Sequence, residues 1–248
     1  MTAPTQARPV VLVSGAARRI GAVIAQTLHA AGHDLALHCR NSRDDLDQLI
    51  AKLERERPNS TLALQADLSD LTQMPALIEA TMQRFGRLDG LVNNASDLCA
   101  TAFGSVTSEQ WDRLFASNAR APFFLAQAAA PQLKKTGGAI VNLLDIYAER
   151  PLAGHSVYCM AKAAQAAMTH ALALELGPEV RVNGVAPGAV MWPEADSDAA
   201  HRAKIIERTP LKRTGQPAEI ADAVLWLLRD ARFVTGQIIR VDGGRFFA

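Results

Sequence analysis

Short, uniformly apolar runs alternate with longer amphipathic stretches along the whole chain. The first run is Val10-Val11-Leu12-Val13, and a helical pattern follows over residues 19–31. Further strand patterns fall at 35–38, 62–65, 88–92, 139–144, 180–185 and 237–241, with helical patterns between them at 45–56, 71–85, 107–135, 155–176 and 217–228. Strands that are apolar on both faces and separated by helices are βαβ units, and such units build a parallel sheet covered on both sides. The expectation is an α/β fold in which residues 1–248 form a single domain, a doubly wound parallel β-sheet with helices on both faces. A chain of this length buries roughly 70–75% of its unfolded surface and needs no disulfide or metal staple.

Composition removes several functional classes. Lys and Arg number 26 against 25 Asp and Glu, a net charge of +1, so the basic excess of a nucleic-acid binder is lacking. No apolar run reaches the roughly 18 residues that span a bilayer. Residues 1–9 lack the apolar centre of a secretory signal. Cys39, Cys99 and Cys159 are odd in number and far apart, which fits a reducing cytoplasm. His29 and His33 mimic a metal pair by their spacing, but Gly32 between them ends the helix, and no metal is expected. Residues 188–212 are the least regular stretch and read as a substrate-binding loop over a site.

The first turn reads Ser14-Gly15-Ala16-Ala17-Arg18-Arg19-Ile20-Gly21, after a strand and into a helix, which is the setting of a dinucleotide turn in a Rossmann fold. Glycine lets the backbone approach a pyrophosphate, and the helix N-terminus offers free N–H groups. Position 19 is Arg where many such loops carry Gly, and the bland alternative is a glycine turn without a ligand. The second strand ends in His38-Cys39-Arg40-Asn41-Ser42, without the carboxylate that accepts bonds from an NAD ribose. Arg18, Arg19, Arg40 and Ser42 suit a 2′-phosphate instead. Two charge-assisted bonds, discounted for exposure, give roughly 2–4 kcal/mol, a preference on the order of 30- to 1,000-fold for NADPH. The competing reading is that these arginines are solvated surface. Asp67-Leu68 ends the third strand, where the acid either holds an adenine amino group or caps the following helix. Asn93-Asn94-Ala95-Ser96 ends the fourth and lines a nucleotide trough, or is an ordinary Asn-rich turn.

Tyr158-Cys159-Met160-Ala161-Lys162 places a phenol and an ammonium four residues apart on one helical face. A nearby cation lowers a tyrosine pKa and makes Tyr158 a usable proton donor. With these pieces together, the chain resembles the short-chain dehydrogenase/reductase family over essentially its full length. The matching residues are Ser14-Gly15…Gly21, Asp67-Leu68, Asn93-Asn94-Ala95, Asn118, Tyr158 with Lys162, Arg181-Val182-Asn183, Pro187-Gly188 and Val241-Asp242-Gly243-Gly244. The resemblance implies hydride transfer from a nicotinamide cofactor with Tyr158 as acid. It implies that Lys162 holds the nicotinamide ribose, that Asn118 carries a proton-relay water, and that Pro187-Gly188 borders the nicotinamide. It also implies a homotetramer.

One departure narrows the branch. The family places a serine thirteen residues before the tyrosine, and here that residue is Asp145. An ionised carboxylate only accepts hydrogen bonds, so it suits the N–H groups of a heterocycle. Asp145, the two cations of the first turn and the Asn-Asn-Ala-Ser run resemble the pteridine reductase branch. That resemblance implies NADPH-dependent reduction of dihydropterins, with dihydrofolate or oxidised pterins as further candidates. The pterin contacts it implies are Arg19, Ser96, Leu98, Asp145, Tyr158 and Trp192. Leu98 stands where some of these reductases stack an aromatic; Phe103 and Trp192 are the candidates to replace it, and a simple loop anchor is the plainer reading of Trp192. The rival activities are a carbonyl reductase of the 3-oxoacyl-carrier-protein type and a catalytically silent nucleotide sensor. The apolar tail Phe246-Phe247-Ala248 reads either as an interface segment or as a frayed end.

Overall fold

A computed structural model describes residues 8–192 and 198–248. Residues 193–197 of the expected substrate loop, Pro193 among them, and residues 1–7 lie outside the described residues. Seven strands form one parallel sheet: β1 (Val10–Val13), β2 (Asp34–Cys39), β3 (Thr61–Gln65), β4 (Gly90–Asn93), β5 (Ala139–Leu143), β6 (Arg181–Pro187) and β7 (Ile238–Val241), in the order β3-β2-β1-β4-β5-β6-β7. The expected doubly wound α/β fold is the one observed. The order reverses between β1 and β4, so a crevice opens beyond their carboxyl ends, where ligands of such sheets bind.

The period of two in the strands divides the core. Val11 and Val13, Leu35 and Leu37, and Val141 and Leu143 face one layer, with α1 (Arg19–Ala30), α2 (Arg43–Glu56) and α8 (Pro217–Arg229). Leu12, Ala36 and Ile140 face the other, with α3 (Met74–Phe85), α5 (Ala121–Thr136) and α6 (Ser156–Leu176). The central strands β1, β4 and β5 are buried at every position because each face of the sheet has its own helices, while the edge strand β7 is half-buried.

Two segments differ from the sequence pattern, and the short helical patch at the end of the irregular stretch is where it was expected. The stretch expected as one helix over 107–135 is α4 (Ser108–Phe115), a π-turn at Ala116–Arg120 and then α5. Pro122 has no N–H for the regular bond back to residue 118, and Ala121 N instead donates to Ala116 O, one residue further back. The helix expected from 71 begins as a 3₁₀ turn, Leu71–Gln73, and its cap is Asp70, which accepts Thr72 N at 3.0 Å; Asp67 accepts Ser69 N at 2.9 Å instead. Inside the irregular stretch lies a helix, α7 (Ala199–Arg208), capped by Asp198.

His29 and His33 serve the fold. His29 Nε2 meets Ser60 Oγ at 2.9 Å, His33 Nδ1 meets Leu28 O at 3.1 Å, and Arg57 clamps the carbonyls of both. Among the described residues no group of three or more His, Cys, Asp or Glu side chains could hold a metal, and no helix is long and apolar enough to cross a membrane.

Candidate active site

The crevice at the switch point is a cleft of about 620 Å³. Of the residues expected at a cofactor, Gly15, Arg18, Arg19, Ile20, Gly21, His38, Arg40, Asn41, Ser42, Asp67, Leu68, Asn94, Ala95 and Ser96 all line it. The turn at its head is rigid. Gly15 has φ +64°, and a Cβ there would lie 2.9 Å from Ala95 Cα. A Cβ on Gly21 would lie 2.1 Å from Gly15 O. Asn94 Nδ2 donates to Ser14 O and Gly15 O, while Ser14 Oγ accepts the amides of Asn94 and Ala95. Ser14 was read from the sequence as part of the turn, and the structure gives it this bracing role.

His38 acts from beneath. Its Nδ1 accepts Gly15 N at 3.3 Å and its Nε2 faces Ala66 O at 3.1 Å. Burial pushes its pKa down, so the ring is neutral and Nε2 carries the proton. His38 therefore braces the turn as well as lining the cleft. No side chain caps α1 and its first turn holds no acid, which leaves the N–H groups at its start to an incoming anion. Exposed Arg18 and Arg40 stand beside this end, and Ser42 is half-buried. Arg19 adopts φ +54°, the left-handed region that glycine fills elsewhere, and its guanidinium reaches across to Trp192 O at 3.2–3.3 Å. Arg202 lies 5.6 Å from the centre of the Trp192 ring. Leu98 is about half exposed and Phe103 stands 97% exposed.

Sequence reasoning missed an ion pair in the cleft wall, Asp97 with Arg113. It holds the Asp97 carboxyl below the usual carboxylate range, and residues sixteen apart in sequence offer no periodic signal for it.

Asp145, Tyr158 and Lys162 lie deeper, at the carboxyl end of β5 and on the first turns of α6. Tyr158 donates its hydroxyl to Asp145 Oδ2 at 2.9 Å, and Asp145 Oδ1 accepts Tyr147 N at 2.9 Å. Lys162 is buried and donates to Leu143 O at 2.8 Å and Gln165 Oε1 at 3.1 Å. Burial pushes the Asp145 carboxyl up, against the pull of the Tyr147 amide, Tyr158, Lys162 and Arg245. Burial also pushes Lys162 down to about 8.

The sequence had suggested that Lys162 lowers the Tyr158 pKa. The opposite direction prevails: burial first, then the Asp145 charge, hold the phenol well above its ordinary value, and the lysine spends its protons on Leu143 and Gln165. Tyr158 is therefore a protonated acid at neutral pH. Cys159 turns away from it, its Sγ accepting Leu152 N at 3.3 Å.

The π-turn brings Asn118 to the junction of the two halves. Its Oδ1 accepts Ser96 Oγ at 2.6 Å and its Nδ2 donates to Asp97 O and Leu114 O. Beneath Lys162 runs a buried polar chain: Gln165 O accepts Thr169 Oγ1, which accepts Asn142 Nδ2, whose Oδ1 accepts Asn93 Nδ2. Asn93 and Asn142 are neighbours in the β4–β5 register, and amides in otherwise apolar strands were the available signal. Pro187 and Gly188 end β6 beside β7, where a Cβ on Gly188 would lie 2.8 Å from Asp242 Cα.

A family model described as enoyl-(acyl carrier protein) reductase matches residues 15–245. Pteridine reductase 1 of Leishmania tarentolae is 36% identical, covering 98% of this chain and 97% of that protein. A granaticin polyketide synthase ketoacyl reductase of Streptomyces violaceoruber is 35% identical over 95% of each chain. A 3-oxoacyl-(acyl-carrier-protein) reductase of Staphylococcus aureus is 32% identical over 95% of this chain and 97% of its own.

Proposed function

The chain belongs to the short-chain dehydrogenase/reductase family of oxidoreductases that use nicotinamide cofactors, and on that premise we propose that it is an NADPH-dependent reductase of pterins. The observation that carries this reading is the buried pair Asp145–Tyr158, 2.9 Å apart. The carboxylate accepts N–H groups of a pterin ring edge, and the phenol beside it supplies the proton that the reduced ring nitrogen takes up. A simple ketone offers no N–H to this carboxylate, which then keeps only its bonds from the Tyr158 hydroxyl and the Tyr147 amide.

The cofactor's pyrophosphate fits the uncapped start of α1, behind Gly15, Ile20 and Gly21. Its 2′-phosphate fits Arg18, Arg40 and Ser42. Asp67, Leu68, Asn94, Ala95 and Ser96 line the remainder of the trough, and Pro187 and Gly188 border the nicotinamide. When bound, a reduced nicotinamide supplies a hydride to a C=N bond of the pterin. Tyr158 gives up its hydroxyl proton to the ring. Lys162 holds the ribose, and Asn118 anchors the water that returns a proton toward the site. Arg19, Leu98, Trp192 and the described residues of 188–212 form the wall over the substrate.

A carbonyl reductase of the 3-oxoacyl type is the second reading, favoured by the ketoacyl reductases among the relatives. The deciding experiment follows NADPH consumption with dihydrobiopterin or dihydromonapterin against an acetoacetyl thioester. Preference for the pterin supports the first reading, and preference for the thioester replaces it with the second.

The same reading includes a homotetramer in the cytoplasm. Trp111, Phe123 and Met160 are partly exposed on α4, α5 and α6, and the small-residue run 161–173 suits close helix packing. A sedimentation mass of one chain at micromolar concentration excludes that assembly.

A further inference from the structure

The C-terminal turn folds back onto the segment that carries Asp145. Asp242 ties the turn, its carboxylate accepting Gly244 N at 2.9 Å and Phe246 N at 2.7 Å. Three contacts then run from the tail and β7 to the residues just after Asp145. Arg245 Nη2 donates to Tyr147 Oη at 3.1 Å. Arg150 donates to the carbonyls of Arg245 and Phe246. Arg240 pairs with Glu149 at 2.6 Å while lying 3.9 Å over the Phe246 ring. Phe246 itself packs with Leu144, Ile146 and Ala186. The tail is therefore neither frayed nor free.

The chain has two tyrosines, and both meet Asp145: Tyr158 through its hydroxyl and Tyr147 through its backbone N–H. Tyr147 is in turn held from the tail by Arg245. We propose that Arg245, with Tyr147 as its intermediary, is a positioning residue for Asp145 and that its cation keeps the carboxylate available to substrate. This rests on the role proposed for Asp145. The charged and titratable groups that face Asp145 are Tyr158, Cys159 and Lys162 from α6, Tyr147 from its own turn and Arg245 from the tail. Of the two cations, Lys162 is itself pushed down by burial and bonded elsewhere, while Arg245 bonds the Tyr147 hydroxyl.

The sign of the effect follows. Removing the Arg245 charge raises the pH at which Asp145 protonates, so the acidic limb of activity moves to higher pH. Arg245→Leu is expected to lower kcat/KM with dihydrobiopterin roughly tenfold, in line with the coupling that positioning residues carry. Arg245→Lys is expected to recover most of the activity and the wild-type profile. Tyr147→Phe, which keeps the ring packed and removes the acceptor, is expected to show a smaller shift of the same sign. NADPH affinity stays at the wild-type value in all three.

A second readout needs no turnover: the carboxyl ¹³C titration of Asp145, assigned by its loss in Asp145→Asn. An upward-moved midpoint in Arg245→Leu, absent in Arg245→Lys, is the expected result. An unmoved midpoint and acidic limb, with only a lower Tm, overturns the inference and leaves Arg245 a structural clamp. If the wild type ignores pterins, the proposed function fails, and the ¹³C midpoints still decide the role of Arg245. Should Arg245→Leu not fold, Tyr147→Phe carries both measurements.

Discussion

The two ends of the cleft place charge in opposite ways. Around the first turn the cations Arg18, Arg19 and Arg40 are exposed, and the one ionisable ring among them, His38, is held neutral by burial. Around Tyr158 the titratable groups are buried, and burial is the first cause of every shift. Exposed charges recognise an anion cheaply but are screened by salt. Buried groups have strong mutual effects, because water no longer competes, and they depend on geometry for their charge states. On the proposed function, the exposed end selects the cofactor and the buried end holds a proton in place until it is needed.

The largest expected effects sit at the buried end. Tyr158→Phe should cost on the order of 10³-fold in kcat/KM, and Asp145→Asn on the order of 100-fold, since a positioned acid or base contributes 10²–10⁴-fold. Both should bind NADPH normally by fluorescence titration. Asp145→Ser should not restore pterin reduction; full activity in that variant breaks the link between the carboxylate and the substrate.

At the exposed end, Arg40→Glu should lower kcat/KM for NADPH on the order of 30-fold, about 2 kcal/mol, with little change for NADH. Raising salt should weaken NADPH binding by the wild type more than NADH binding. Equal use of both cofactors by the wild type removes the contrast.

A smaller effect runs opposite in sign. Lys162 falls from 10.5 to about 8 on folding, so below pH 8 its burial as a cation opposes the fold. Between about 8 and 10.5 the unfolded chain binds more protons than the folded one, and stability rises with pH. Lys162→Met should abolish activity and raise stability at pH 7 by roughly 1–2 kcal/mol, after allowing for its lost hydrogen bonds. It should also flatten the rise between pH 8 and 10; urea unfolding at both pH values measures this.

The smallest effect concerns acid. His29, His33 and His38 are each held below the usual histidine value, by burial first. Below about pH 6.5 the unfolded chain takes up protons that the folded one refuses, so stability should fall with pH. A Tm that stays level from pH 7 to pH 5 contradicts neutral histidines in the folded chain.

Local chemistry was legible in the chain. The uniformly apolar strand runs, the glycine turn and the Tyr158–Lys162 spacing each depend on neighbours within a few residues, and each is where the pattern placed it. The residues lining the cleft were legible as a set because a parallel sheet brings every strand's carboxyl end to one edge. Asn118 was legible as a residue but not as a geometry, because its partners Ser96 and Asp97 come from the end of another strand.

What the order of residues settled is the sheet, its two buried faces and the identity of the groups along its edge, since periodicity and turn chemistry act over short separations. What waited on the folded chain is their charge and their partners. Lys162 lies on the same face as Tyr158, yet it bonds Leu143 and Gln165 and does not lower the phenol. Arg245, 100 residues after Asp145, comes beside it only because β7 lies next to β6. Desolvation and long-range contact are properties of the packed interior, and no spacing along the chain encodes them.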